Sequence, residues 1–472
     1  MRVVVVGGGI CGLACTWRLQ RLGAEVLLLE QTERVGGVID SLEADGFLFE
    51  RGPQSFLANA SLLELIAALR LSEELLEANR RAPRFVLVRG RLYRVPMAPP
   101  ALLTSPLLPL RARWRLLTEW ARKSVPPEPD ESVAAFTRRK FGSELLERLV
   151  GPFVSGIYAG DPERLSLRAA FPMLYDWERN YGSVIRGAMQ SRRKTKPSNP
   201  KTRPVLANFR NGLRTLPAAL HRALGDVVHT GTTVQAIEAR QANGRPSITV
   251  RVVRNGLNDL LAAEAVVVAT PAYAAAALLA GVAPRAAEQL AGIAYAAVNV
   301  VSTGYRREQV AHPLNGFGFL VPRSEGLRTL GTVWNSSLFA GRAPQGCVAL
   351  ASFVGGATDP EAQHARDEEL LGTVSQENAA VLGISGAPVV HHLERYARAL
   401  PQYNLGHTQR LQTIREDLAR LPGVFLAGNY LEGPSIGNCV DVAFRTAAAV
   451  AEFFGTETTA RRSGTGEFQK SP

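Results

Sequence analysis

Three glycines, Gly7, Gly9 and Gly12, stand directly behind the run Arg2-Val3-Val4-Val5-Val6, and Glu30 closes the next apolar run, residues 25–30. Each glycine has its own task in gripping a dinucleotide. Gly7 permits a tight turn, Gly9 leaves no Cβ between backbone and pyrophosphate, and Gly12 lets the following helix lie close to the strand. The unpaired N–H groups where that helix opens, around Gly8, Ile10 and Cys11, offer partial positive charge to phosphates. Glu30, followed by Gln31, can accept hydrogen bonds from a ribose. A glycine-rich turn without ligand is the competing reading; the strand before, the helix after and the carboxylate at the second strand argue against it.

The elements that must position these groups follow from the pattern. Residues 2–6 predict a parallel strand buried on both faces. A helix to about Arg21, a stop at Gly23 and a strand at 25–30 complete a βαβ unit. Residues 84–95 predict a hairpin. Residues 97–123 are rich in Pro and Leu, then in Trp and Arg, and 131–150 are expected to be helical. A second α/β block has a helix at 211–224, short strands within 226–254 and a buried strand at 264–269. Residues 292–400 are strand-rich. The third block starts near Gly406, with a strand at 423–427 and a helix from about Ser435 to Phe454. The polar tail, 456–472, is expected to be disordered. The stretch Ala265–Pro284 is long and uncharged enough to raise the question of a membrane span. Pro271 splits it, so strand, turn and helix are expected instead. The apolar start resembles a short signal peptide, but consecutive glycines oppose a helical signal core, and none is expected.

Composition narrows the class. The chain has 472 residues, 46% apolar and 20% charged, as in globular enzymes. A net charge of +12 favours an acidic partner such as a carboxylate substrate or anionic lipid. The loop 191–204 carries six Lys or Arg and no acid, but no interleaved aromatic residue, so a solvated mobile loop is expected and nucleic acid is not a partner. Four cysteines without a CxxC pair predict no disulfide scaffold and fit a reducing, cytoplasmic setting. Cys11 and Cys15, four apart on one helix, are expected to be packing residues. His391 and His392 fall on opposite faces of a strand, and no metal site is expected.

Further motifs carry a resemblance. Glu33-Arg34-Val35-Gly36-Gly37 follows the ribose carboxylate. Gly52-Pro53-Gln54, the segment 208–220, Val234, the strand 264–271 and the segment 426–440 follow in order. Together these resemble the FAD flavoprotein family of amine oxidases, phytoene desaturases and protoporphyrinogen oxidases. The resemblance implies an α/β fold with a Rossmann-like FAD-binding domain assembled from three chain segments, 1–83, 205–291 and 406–455. It also implies an α+β substrate domain, 84–96 and 292–405, and a mainly helical domain, 97–204, able to associate with a membrane. It implies that Arg34, Gly36 and Gly37 lie along the phosphates, that Gly52, Pro53 and Gln54 lie near the flavin, and that the backbone of Val234 meets adenine. Asn429, Pro434, Ser435 and Ile436 fall in the flavin-ring motif. There the last helix would point its N-terminus at the ring and stabilise negative charge on reduction. Pro434 and Ser435 depart from the commoner small aliphatic residues. Cys439 raises the question of a covalent flavin, but the surrounding motif resembles the non-covalent relatives.

The segments 155–174, 316–322, 330–344 and 400–407 resemble the protoporphyrinogen oxidases of this group. That likeness implies an oxygen-dependent oxidation of a porphyrinogen by hydride transfer to FAD, with peroxide formed, in three two-electron rounds. It implies that Arg84 pairs with a substrate propionate, that Leu320 and Phe339 sandwich the macrocycle, and that Gly156 lies on the substrate wall. No side-chain base is evident. A surface arginine and ordinary core residues are the competing readings for Arg84, Leu320 and Phe339. Rival functions are a coproporphyrinogen III oxidase of the same fold, an FAD amine oxidase, and a binding module without turnover. A peripheral place on an anionic membrane is expected for 97–123, and a homodimer is compatible with the sequence.

Overall fold

The computed structural model describes residues 2–96, 99–194, 205–242 and 245–464. Val3 to Val6, each at most 4% exposed, form the strand Arg2–Val6 at the centre of a five-stranded sheet. Glu25–Leu29 and Val228–His229 lie to one side, and Ala265–Val268 and Val424–Leu426 to the other, all parallel. Successive side chains serve opposite faces, so one run of valines feeds two cores. Val3 and Val5 pack with the helices Ile10–Arg21 and Ile436–Gly464, and Val4 and Val6 with Ala272–Leu279 and Pro284–Ala291. Trp17 of the first helix stacks on Phe444 of the last, centroids 5.9 Å apart. The strands come from stretches far apart in sequence, and the intervening chain builds the rest of the molecule.

Between 228 and 263 the strands are longer than expected. Thr232–Ala242, Arg245–Arg254 and Leu257–Ala263 form an antiparallel sheet whose inner face, Ile237, Ile248, Val250 and Val252, covers the second core. Pro271 precedes the helix Ala272–Leu279 and separates it from the strand Ala265–Val268, as the sequence predicts. No helix among the described residues is long and apolar enough to cross a membrane.

A seven-stranded sheet forms the second layer, in the order Val390–Pro401, Tyr295–Arg306, Cys347–Gly355, Thr329–Val333, Gly318–Leu320, Arg84–Val88 and Arg91–Arg94. The predicted hairpin is therefore its edge, and Arg84–Val88 pairs in parallel with Gly318–Leu320. Within the strand-rich region, Asp367–Leu382 is a helix, which buries Leu370 and Val374 against Val301 and Val354.

The last helix runs to Gly464, past the expected stop at Phe454. Residues 456–464 are thus helical backbone rather than a disordered tail. Gly455 alone does not end a helix whose following residues include Ala, Glu and Arg, which favour helix. Residues 465–472 lie outside the described residues. The basic loop expected at 191–204 begins as helix, Val184–Lys194, and 195–204 also lie outside them.

The third layer is helical. Residues 131–150 are helical as expected, with a break after Lys140 where Gly142 takes φ +99°. Leu108, Ala112, Phe136, Val154, Tyr158 and Tyr175 form its core. A buried ionic cluster ties these helices together: Lys140 Nζ lies 3.1 Å from Glu119 and 3.0 Å from Glu178, whose side chains are 1% and 0% exposed. Burial alone would push the Glu178 carboxyl up, but Arg139, Ser124 and Lys140 outweigh it and hold its pKa at about 2. Lys140→Met should therefore destabilise the protein by about 3–5 kcal/mol, because it removes the cation beside buried Glu119, whereas Glu178 keeps Arg139. A thermal melt of the purified variant checks this; an unchanged melting temperature would show that the Ser183 hydroxyl and the Val184 and Ile185 N–H groups suffice for Glu119.

Candidate active site

The glycine turn is held as the spacing requires. Gly7 takes φ +107°, and a Cβ on Gly12 would lie 1.9 Å from the Gly7 carbonyl oxygen, so only glycine lets the helix Ile10–Arg21 dock there. A Cβ on Gly9, by contrast, would meet nothing within 4 Å. The helix that starts here has no side-chain cap and no acid in its first turn. Its amides near Ile10 and Cys11 face that open side, while both side chains turn into the core. Glu30 Oε2 accepts from the Gly8 N–H at 2.6 Å, and Oε1 accepts from the N–H and hydroxyl of Thr32. The carboxylate thus braces the turn it follows, and Gln31 beside it is exposed.

The second glycine pair sits on the first. Gly36 N–H donates to Gly8 O at 2.8 Å, and a Cβ on Gly37 would lie 3.7 Å from the Gly9 α-carbon. The Arg34 guanidinium donates to the carbonyls of Val35, Gly37 and Ile39. It therefore acts first as a clamp on the glycine loop. Thr270, whose buried hydroxyl has no hydrogen-bond partner, lies beside Gly7.

Gly52, Pro53 and Gln54 follow a buried carboxylate that sequence reasoning did not single out. Glu50 accepts from Ser41, Asn208 and the Leu213 N–H. Burial raises its pKa, and those bonds oppose the rise. A Cβ on Gly52 would lie 2.2 Å from Val38 O. Gln54 Nε2 donates to the carbonyls of Glu50 and Gly52, which fixes its amide and leaves Oε1 to accept from Asn335 at 2.7 Å. Val234 is half-buried at a register shift in its strand pair.

At the other end of the chain, the strand Val424–Leu426 leads into a short helix, Asn429–Glu432, then Gly433 with φ +134°. Pro434 stands ahead of the last helix rather than inside it, and Ser435 Oγ accepts from the Asn438 N–H at 3.2 Å, capping the helix that starts at Ile436. Two residues outside the motif hold this turn: the Tyr403 hydroxyl donates to Asn429 O, and His407 Nε2 to Tyr430 O at 2.9 Å. Burial lowers the His407 pKa to about 4, so the ring is neutral. Cys439 is buried beside Cys11; their hydrogen bond, then burial, keeps the Cys11 thiol well above its ordinary pKa.

The strand register places the remaining candidates. Leu320 pairs with Gly331, and Gly331 with Phe353, so the three form one row on one face of the seven-stranded sheet. Arg84 pairs with Gly318, two residues back, and shares that face. Leu320 and Phe353 are half-buried, and the Leu320 side chain lies over Gly331, where a Cβ would be 3.0 Å from Leu320 Cδ2. Gly156, on the helix Gly151–Tyr158, abuts the same leucine: a Cβ there would lie 2.5 Å from Leu320 Cδ2. The Arg84 guanidinium lies over the Phe317 ring at 5.1 Å, and partial burial lowers its pKa while leaving it charged at neutral pH. Phe339 is not across from Leu320. It is 3% exposed and packs with Phe317 and Val333, behind the Arg84–Phe317 stack. Phe353 did not stand out in the sequence, because a single Phe in an apolar strand reads as core.

The model of the flavin-containing amine oxidoreductase family matches residues 10–451. The chain belongs to that family. It is 36% identical over 474 residues to protoporphyrinogen oxidase 1, chloroplastic, of Spinacia oleracea, covering 95% of this chain and 84% of that one. It is 30% identical to coproporphyrinogen III oxidase of Bacillus subtilis (strain 168), covering 93% and 95%. The crystal structure of an Exiguobacterium sp. 255-15 protein superposes with a TM-score of 0.79 at 27% identity, covering 96% and 98%.

The enzyme is thus an FAD-dependent oxidoreductase, and its glycine turn fits that cofactor. The open space at Gly9, the uncapped helix start and the unpartnered Thr270 hydroxyl all lie around one opening. Gly9→Val should fold but lose most of its FAD, because the added side chain meets ligand rather than protein. Gly12→Ala should fail to fold, because its methyl meets the Gly7 carbonyl. Soluble yield and the flavin absorbance of purified protein separate the two; a yellow Gly9→Val would overturn the assignment of the turn.

Proposed function

We propose that this flavoenzyme oxidises protoporphyrinogen IX to protoporphyrin IX in an oxygen-dependent, six-electron reaction of heme biosynthesis that yields hydrogen peroxide. The observation that carries the reading is the likeness to a named protoporphyrinogen oxidase across 95% of the chain, which includes the substrate face as well as the flavin motifs. The face itself supports it. Arg84 shares one face of the seven-stranded sheet with half-buried Leu320 and Phe353, and Gly156 lies against Leu320. A macrocycle with apolar edges and a propionate arm matches that combination.

In this reading the FAD-binding domain comprises 1–83, 205–291 and 406–455, the substrate domain 84–96 and 292–405, and the helical domain 97–204. FAD would be held without a covalent bond, because Cys439 turns into the core with Cys11, and would supply a two-electron hydride acceptor with dioxygen as final oxidant. Gly7 to Gly12, Glu30, Gly36 and Gly37 hold its phosphates and ribose, with Arg34 shaping that loop. Val234 offers backbone to adenine, and Gly52 to Gln54 and Asn429 to Ile436 border the ring. The guanidinium of Arg84 grips a propionate with its planar fork. Leu320 and Phe353 orient the macrocycle and exclude water, and Phe339 backs the Phe317 ring beneath Arg84. No side chain of the site is required as a base: the chain's part is to present one methylene carbon in the right place.

A charge-assisted pair contributes about 1.5–3 kcal/mol, less where water screens it. Arg84→Ala should therefore lower kcat/KM by about 10- to 100-fold with FAD content unchanged. Arg84→Lys should recover part, and Arg89→Ala and Arg91→Ala should stay near wild type. Wild-type kcat/KM in Arg84→Ala would remove the anchor. The Bacillus subtilis relative supports a second reading, coproporphyrinogen III oxidation. Anaerobic flavin reduction by each porphyrinogen decides between them, and faster reduction by coproporphyrinogen would overturn the first.

A peripheral position on the cytoplasmic membrane belongs to the same reading. On the helix Leu110–Glu119, Leu110 is 79% and Trp114 67% exposed, with Leu117 also exposed on that face. With Leu103, Arg111 and Arg115 they line a hollow of about 570 Å³. Apolar side chains with flanking arginines suit an anionic lipid surface. Flotation should recover the enzyme with anionic and not with neutral vesicles, and Trp114→Ser should cut the bound fraction roughly tenfold, the loss of about 1.4 kcal/mol. Equal recovery of variant and wild type would oppose it.

A further inference from the structure

The segment Gln402–His407 joins three parts of the molecule that the chemistry needs in register. Toward the substrate wall, Gln402 Nε2 donates to Tyr158 O at 2.9 Å, and the Tyr403 ring meets Tyr158 edge-on at 5.8 Å. Tyr158 ends the helix that carries Gly156 against Leu320. Toward the helical layer, the Ser166 N–H donates to Tyr403 O, the Leu405 N–H to Arg164 O, and the Gly406 N–H to Asp130. Toward the last-strand turn, the Tyr403 hydroxyl donates to Asn429 O, while His407 donates to Tyr430 O. The two side chains thus meet the first two residues of the four-residue helix Asn429–Glu432. That helix is too short to satisfy its own carbonyls. Both donors are buried, their rings 4.7 Å apart, so water cannot replace them.

We propose that Tyr403 and His407 are positioning residues that brace the flavin-facing turn, Asn429–Gly433, and tie it to the substrate wall at Tyr158. The proposal rests on the reading that residues 429–436 border the flavin ring. The distance between a substrate carbon seated against Gly156 and Leu320 and the ring behind the turn is then set by one rigid strut. Loss of the Tyr403 hydroxyl frees the turn while the ring still packs.

The test is Tyr403→Phe in the FAD-loaded enzyme, read first by the flavin reduction potential, titrated with dithionite against a reference dye. The variant should keep FAD, but its reduced flavin should be less favoured by about tenfold, a fall of about 30 mV for a two-electron couple. Anaerobic reduction at saturating porphyrinogen should slow by about tenfold, with KM little changed. Tyr305→Phe, which removes a hydroxyl equally buried in the seven-stranded sheet, should leave the potential at the wild-type value. If Tyr403→Phe yields no soluble flavoprotein, His407→Leu should show the fall and His407→Gln, which retains a donor, should not. Wild-type potentials in both Tyr403→Phe and His407→Leu, or an equal fall in Tyr305→Phe, would overturn the strut. The potential needs no porphyrinogen: a shifted potential in an enzyme that neither porphyrinogen reduces would leave the strut standing and overturn the substrate reading alone.

Discussion

The helix that opens the chain can lie where it does only because Gly12 has no side chain. Its Cα faces the Gly7 carbonyl so closely that a methyl group would be 1.9 Å from the oxygen. Everything downstream of that approach follows. It brings the uncapped amides of the helix beside the open space at Gly9, sets the Gly8 N–H against Glu30, and lets Gly36 hydrogen-bond to Gly8 O. A binding turn built this way needs no charged side chain to attract phosphate, and the one nearby arginine, Arg34, is free to hold the second glycine loop instead.

The same turn depends on chain that arrives much later. The central strand Arg2–Val6 is covered on one side by Ala265–Val268, and that strand in turn by Val424–Leu426. The first helix packs against the last, where Trp17 meets Phe444 and Cys11 meets Cys439. Glu50, Asn208 and Leu213 add a buried polar tie between the first and second stretches. Contacts of such sequence separation form slowly.

Local geometry explains what was legible in advance. Gly7, Gly9, Gly12 and Glu30 announce themselves because their spacing reflects a single turn, and Pro271 breaks an apolar run whatever lies around it. The apolar row on the seven-stranded sheet is different. Leu320, Gly331 and Phe353 become neighbours only through the pairing of three strands, and no one of them differs in pattern from a core residue. Phe339 was expected to sandwich the macrocycle with Leu320, and its buried ring packs with Phe317 and Val333. Tyr403 and His407 stand in a segment whose resemblance was visible, yet their work is done on carbonyls of Asn429 and Tyr430, and backbone acceptors leave no trace in sequence. The extent of the last helix was misjudged because the polar, Ser/Thr-rich composition after Gly455 reads as disorder.

The two outer strands of the seven-stranded sheet bear on solubility. Arg91–Arg94 at one border and Val390–Pro401 at the other each leave a row of backbone donors and acceptors that a second molecule could extend. One border carries Arg91 and Arg94, with Arg89 at its hairpin turn, and the other carries Arg395 and Arg398. Like charges on both borders oppose sheet-to-sheet addition between copies. Arginines at both borders thus also guard the sheet against aggregation.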